Sequence, residues 1–160
     1  MSSPFNSPLE TGIRSLAILT AIFPKSVDLQ YLVFFDYLTV HSGDVEEGPE
    51  SLHAPLPLRS GELTVRRDLI ERGLLLMMSR GLVQKLPTSS GFQYTVTDTA
   101  GAFLSMLRSQ YISKIRGRAE WVAETFGHST LEDLKTVERR FFQEWSTQFH
   151  SFERVGEHRI

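Results

Sequence analysis

Histidines come first among the side chains of this sequence that could ligate a metal, move a proton or attack a carbonyl. Five are present. His41 and His53 stand on either side of a Gly-, Ser- and acid-rich stretch, and no His-x-x-x-His or His-Glu pairing falls on a helical pattern, so the ligand spacing of zinc enzymes is missing. Asp44, Glu46, Glu47 and Glu50 offer the hard oxygens that a divalent cation wants, but their spacing is not that of a calcium loop; a solvated acidic loop is the expected reading. His41-Ser42-Gly43-Asp44 holds the residue types of a hydrolytic triad, yet neighbours in sequence point in different directions and cannot relay a proton. There is no phosphate-cradling glycine loop with Lys-Ser/Thr and no nucleophile elbow. With no cysteine, a disulfide framework, thiolate zinc, an iron-sulfur cluster and a cysteine nucleophile are all excluded. The expectation is a protein with no catalytic residues, no metal ligands and no cofactor.

The basic residues pose a different question. Arg59, Arg66, Arg67, Arg72, Arg80 and Lys85 cluster in one stretch against Glu62, Asp68 and Glu71, leaving a local excess of three positive charges in a chain of net charge −2. Arg66, Arg67, Arg72, Arg80 and Lys85 are therefore candidates for contact with DNA or an acidic partner. Two observations weaken the DNA reading. Asp28, Asp36, Asp44, Glu46, Glu47 and Glu50 lie in a neighbouring segment without Lys or Arg, which would repel phosphates. The run Leu74 to Met78 covers a helical wheel all round, so the expected groove-reading helix lacks a continuous polar face and reads as sandwiched. The arginines otherwise fit a solvated face with i, i+4 pairs, Arg67 with Glu71 and Asp68 with Arg72.

These residues must be held by a mainly helical framework. Ser7-Pro8-Leu9-Glu10 starts a capped helix over about 8–23, stopped by Pro24. Asp28 caps a second helix that is apolar on nearly every side and so is expected to be buried. His41 to Gly61, rich in Gly, Pro, Ser and acids, is about 20 residues, long for a connection inside a compact domain and so expected to be functional or partner-ordered. A third helix over 62–80 ends at Gly81. Leu82–Leu86 and Phe92–Thr97 alternate in polarity around Thr88-Ser89-Ser90-Gly91, a hairpin. Thr97 or Asp98 caps a helix over 99–107, and two more follow, near 109–126 and 130–152, the last opened by a capping box at Ser129-Thr130-Leu131-Glu132. Helix, helix, helix, hairpin, helix is the order of a winged helix. The predicted fold class is thus mainly α with a small β-hairpin, a winged helix-turn-helix with additional C-terminal helices. We divide it into a winged-helix domain over 1–107 containing a long 42–61 loop, and a helical extension over 108–160 packed on it or on a partner. No segment reaches the roughly 20 apolar residues of a membrane span and no export signal opens the chain, so a cytoplasmic protein with no membrane contact is expected.

Pro4-Phe5-Asn6-Ser7-Pro8-Leu9-Glu10, Asp36-Tyr37-Leu38 with His41-Ser42-Gly43-Asp44, and Ser51-Leu52-His53-Ala54-Pro55-Leu56-Pro57 running into Arg59-Ser60-Gly61-Glu62 together resemble the middle component of bacterial ABC-three-component conflict systems, relatives of Lamassu-type antiphage defence. The resemblance covers residues 4 to about 125. It implies a small subunit beside an ABC ATPase of the SMC or Rad50 type that senses foreign DNA, and beside an effector such as a nuclease. The chain would be a non-enzymatic adaptor between the two, with DNA contact weak or indirect. No catalytic residue is carried over from the family. His41, Ser42, Asp44, His53, Arg59 and Glu62 are the matching positions, read either as a partner interface or as groups that order their own loop. The competing reading is a dimeric winged-helix transcriptional regulator that binds DNA.

Overall fold

The computed structural model describes residues 7–53 and 60–140, with the side chains of 60–63 left out of account. Six helices and one antiparallel hairpin make up the described part: α1 (Pro8–Ile22), α2 (Leu29–Val40), α3 (Ser60–Ser79), β1 (Val83–Thr88), β2 (Gly91–Val96), α4 (Ala100–Met106), α5 (Gln110–Phe126) and α6, described over 131–140. The mainly helical class with a small hairpin is as expected from the sequence, and so are most boundaries to within two residues.

Local chemistry accounts for the helix ends. Ser7 accepts from the Glu10 amide at 3.2 Å with Pro8 in the first turn, and Asp28 accepts from the Tyr31 amide at 2.9 Å. Ser109 caps α5 through the Ile112 amide. At the end of α3, Gly81 (φ +69°) adopts the left-handed conformation; its N–H donates to Met78 O, and Leu82 N–H reaches back to Met77 O. That pair of bonds is a Schellman motif, and it turns the chain from α3 straight into β1. Two caps differ from the sequence reading. Neither Thr97 nor Asp98 caps α4: Thr99 takes the N-cap position without a side-chain bond to the helix, and the Thr97 and Thr99 hydroxyls both donate to Gly81 O. The box that opens α6 is shifted by one residue, with Thr130 and Asp133 exchanging bonds at 3.0 and 3.1 Å. The remainder of the last predicted helix, beyond residue 140, lies outside the described residues.

The hairpin pairs Val83 with Val96 through Thr88 with Gly91, closed by Ser89-Ser90. A third piece of strand was not foreseen. Val27, between α1 and α2, exchanges two backbone bonds with Tyr94 on β2, and Ser26 Oγ donates to Gln93. This bridge ties the α1–α2 turn to the hairpin, and the element order with it is compatible with a winged helix-turn-helix.

Packing follows the hydrophobic pattern of the sequence for α1, α2 and α5. Ten of the twelve residues of α2 are buried, as its all-round apolar character requires. The buried face of α5, Ile115, Ala119 and Val122, closes over α1 and α2, and Lys25 donates to Gly127 O at the C-terminal end of α5 at 2.7 Å. The helix before the hairpin departs from expectation. Among its residues of described burial, 64–79, it buries only Ile70, Gly73, Leu74 and Met77, while Leu75 is 62% and Val65 60% exposed, with Leu76 and Met78 half-buried. So α3 is not sandwiched within the described chain: α1, α2 and β1 pack against one side of it, and α1 makes the closest contact. That contact is unusually intimate because Gly12 and Gly73 sit backbone against backbone.

Candidate functional site

The polar centre of the molecule is built around Asp36, a fully buried carboxylate on a helix otherwise made for burial. An unpaired charge there would be prohibitively costly, so the fold brings two guanidiniums to it. Arg14 on α1, 2% exposed, binds it in fork geometry, Nε to Oδ1 at 2.9 Å and Nη2 to Oδ2 at 3.2 Å. Arg66 on α3 donates from Nη1 to Oδ2 and lies over the Tyr37 ring, 5.5 Å from its centroid. Three helices are therefore clamped through one carboxylate. Burial alone would raise the Asp36 pKa, but Arg14 and Arg66 outweigh it and hold the group down at about 2. Arg14 is likewise held charged: burial opposes the charge, and Asp36 and then Tyr111 more than compensate.

From this clamp the polar contacts continue into the loop and α5. Tyr111 on α5 bonds the Arg14 side chain, and its hydroxyl lies 2.7 Å from His53 Nε2. The Tyr111 hydroxyl can both accept from Arg14 and share a hydrogen bond with His53, so it links the clamp to the loop. The His41 ring stands between Tyr37 (centroids 4.7 Å apart) and His53 (6.2 Å, edge-on), 2% exposed and with Nε2 unbonded. Tyr37 donates to Asp44 at 2.6 Å. Backbone bonds complete the loop: Leu52 and His53 N–H both reach Val40 O, Ser42 Oγ donates to Glu50 O, Ser51 Oγ accepts from Gly43 N–H, and Arg118 Nε donates to Glu50 O. The segment from 41 to 53 is thus a folded flap laid against α5, and among its expected site residues His41, Ser42, Asp44 and His53 all take part in it. Arg59 falls outside the described residues, as does the side chain of Glu62.

The basic candidates do not form one patch. Arg66 is committed to Asp36, and Arg72 pairs with Asp68 at 3.2 Å on an exposed face. Arg67 and Glu71 line a shallow cleft with Asp28, Lys85, Phe92 and Tyr94, without the ion pair expected between them, and Lys85 lies 4.2 Å from the Phe92 ring centroid. Arg80 is exposed at the end of α3. Asp36, counted in sequence among the surface acids, contributes no surface charge because it is buried and paired. Sequence reasoning missed the clamp itself: Arg14 fell inside an apolar helical pattern, and nothing local marks which of many arginines meets a buried acid.

Burial, reinforced by Arg66 and Arg14, pushes His41 down to about 4; burial, reinforced by Arg14 and His41, does the same to His53. A histidine whose folded pKa lies below its unfolded value of about 6.5 is protonated preferentially in the unfolded chain. Its stabilising effect is complete above pH 6.5 and is lost as pH falls toward 4. Denaturant unfolding is expected to show constant stability from pH 8 to 7 and a loss of about 2 kcal/mol at pH 5 from His41 alone, at about 1.4 kcal/mol per pH unit per group. A pH-independent midpoint between 7 and 5 would contradict the buried, neutral placement.

Among the described residues, no three of His, Asp and Glu converge as a metal site requires, and no helix is long and apolar enough to cross a membrane. What the fold and the polar centre define is a small helical domain with a hairpin, held together by a buried ionic clamp and carrying a flap fixed to that clamp. This chain belongs to the Middle Component 2 family of ABC-three-component (ABC-3C) systems, whose family model matches residues 4–148. The match extends past α5 and over α6, further than the sequence motifs alone. No curated protein and no solved structure matched the chain. A middle component of a multi-component ABC system has partner subunits.

Proposed function

We propose that this chain is the non-enzymatic adaptor of an antiphage system of the Lamassu-like kind, coupling a DNA-sensing ABC ATPase of the SMC or Rad50 type to an effector such as a nuclease, in the cytoplasm. The observation that supports this most is how the charged groups are used. Arg66 is spent inside the fold on buried Asp36, and Arg72 pairs with Asp68 along its own helix, while Phe23, Phe92 and Met106 are left 55–77% exposed. Such a surface is suited to lasting contact with protein.

Co-expression with the neighbouring genes of its system is expected to yield one stable complex containing the tagged chain, the ATPase and the effector. Recovery of the chain alone, folded and free of both, would refute the adaptor reading. The winged-helix regulator remains the second reading, favoured by the Val27–Tyr94 bridge. It requires tight, salt-dependent duplex binding weakened by Arg67→Ala and Lys85→Ala; Arg66→Ala is unsuitable as a probe because Arg66 holds the fold. For an adaptor, binding of the isolated chain to duplex DNA at 50 mM salt is expected to be no tighter than non-specific, with a Kd of about 10⁻⁵ M or weaker.

A further inference from the structure

The solvent face of α3 has an internal symmetry. Opposite the buried Ile70, Leu74 and Met77, the residues facing outward are Val65, Asp68, Arg72, Leu75 and Ser79, in 3-4-3-4 steps. That spacing is the seam along which one helix packs on another. All five are exposed, with Val65 at 60%, Leu75 at 62%, and the side chains of Asp68 and Arg72 at 59% and 64%. Taken about residue 70, the four seam residues from 65 to 75 map onto one another with ends exchanged: Val65 and Leu75 are equidistant from that point, and so are Asp68 and Arg72.

We propose that this face is a two-fold interface, in which α3 pairs antiparallel with α3 of a second copy of the chain. An isologous contact requires that if one residue meets another, the reverse contact also forms. Here Val65 of each copy meets Leu75 of the other, and Asp68 of each meets Arg72 of the other, so the two intrachain pairs join into a four-membered ring of alternating charge. Antiparallel helix dipoles add to this arrangement. A partner of unrelated sequence would have to supply Leu, Arg, Asp and Val in matching order, whereas a second copy already does. The contact is a single helix pair, so the dimer is weak, with a Kd of about 1–100 µM, and appears with concentration. The inference does not depend on the adaptor role.

Sedimentation equilibrium of the full chain should show monomer and dimer exchanging over that range. Leu75→Glu should shift the midpoint at least tenfold while leaving the melting curve in place. Asp68→Arg should do the same, and combining it with Arg72→Asp should restore the dimer, since the swapped ring is again alternating. Register is tested with thiols, because the chain has no cysteine of its own. Val65→Cys with Leu75→Cys should be joined into dimers by a short bis-methanethiosulfonate, each cysteine thiolate displacing one methanesulfinate, and Val65→Cys alone should not, because the two copies of residue 65 lie about 15 Å apart along the pair. Three results would overturn the proposal: a monomer throughout, a dimer indifferent to both Leu75→Glu and the charge swap, or linkage through Val65→Cys alone. So would a chain that stays monomeric in its complex while another component's helix occupies the seam.

Discussion

Asp36→Ala is expected to destabilise the folded chain by about 3–5 kcal/mol, read as the loss of free energy in urea or thermal unfolding. The carboxylate is completely buried and accepts from two guanidiniums brought by different helices. Removing it leaves Arg14, itself 2% exposed, charged and without its main partner, and that uncompensated charge dominates the effect. Against the 5–15 kcal/mol of an ordinary domain, the variant should lie near its unfolding threshold at 37 °C. The converse substitution separates the cost of a broken pair from the value of the intact one. Arg14→Met, Asp36→Leu and Arg66→Met together remove all the charges and are expected to be within about 2 kcal/mol of the native chain or more stable. Near-native stability of Asp36→Ala would show that the clamp is not the central lock. Acid acts in the same direction. With a folded pKa of about 2 against an ordinary 3.8, the stability Asp36 confers is complete above pH 3.8 and is lost as pH falls through 2. The histidine contribution is lost at higher pH, so acid unfolding should proceed in two stages of slope.

Gly73→Ala is expected to cost about 3 kcal/mol or more although it adds a single methyl group. A Cβ at this position would lie 2.6 Å from Gly12 N and 2.8 Å from Gly12 Cα, and one at Gly12 would lie 2.8 Å from Gly73 O. These are backbone atoms of helices that cannot rotate aside, so α1 and α3 must separate, and the core residues on both sides lose contact. The strain reaches the ionic clamp too, because Arg14 and Arg66 approach Asp36 from those same two helices. Gly117→Ala is the control. Its Cβ would meet nothing within 4 Å on the exposed side of α5, and replacing a mid-helix glycine there should stabilise the chain by about 0.5–1 kcal/mol. Equal melting temperatures for the Gly73→Ala variant and the native chain would mean the two helices do not cross in contact at these glycines.

The two glycines illustrate why part of this structure was legible in sequence and part was not. Gly81 could be assigned its role because a helix C-terminus, a left-handed residue and a following strand form a local grammar. Gly12 and Gly73 carry no local signal; each sits mid-helix, where glycine only weakens helix propensity, and their meaning appears when the two positions are placed together. Arg14, Asp36 and Arg66 behave the same way. Read along the chain, Asp36 was one of six acids and Arg66 one of six bases, and only their meeting in the core shows that neither belongs to the surface. His41, Ser42, Asp44 and His53 were singled out by family resemblance without a contact to explain them. The structure supplies Val40 O, Glu50 O, Tyr37 and Tyr111 as their neighbours.

By itself, the sequence determined the order and type of the elements, the burial of α2 and the hairpin after Gly81, because capping, periodicity and turn chemistry act over a few residues. It also carried the family, since the matching segments are short and contiguous. Only the tertiary structure decided which charges are spent inside, which face of α3 is left in solvent and where two helices touch backbone to backbone. Those facts depend on pairs of residues far apart in the chain, and such pairs have no physical existence until the chain has folded.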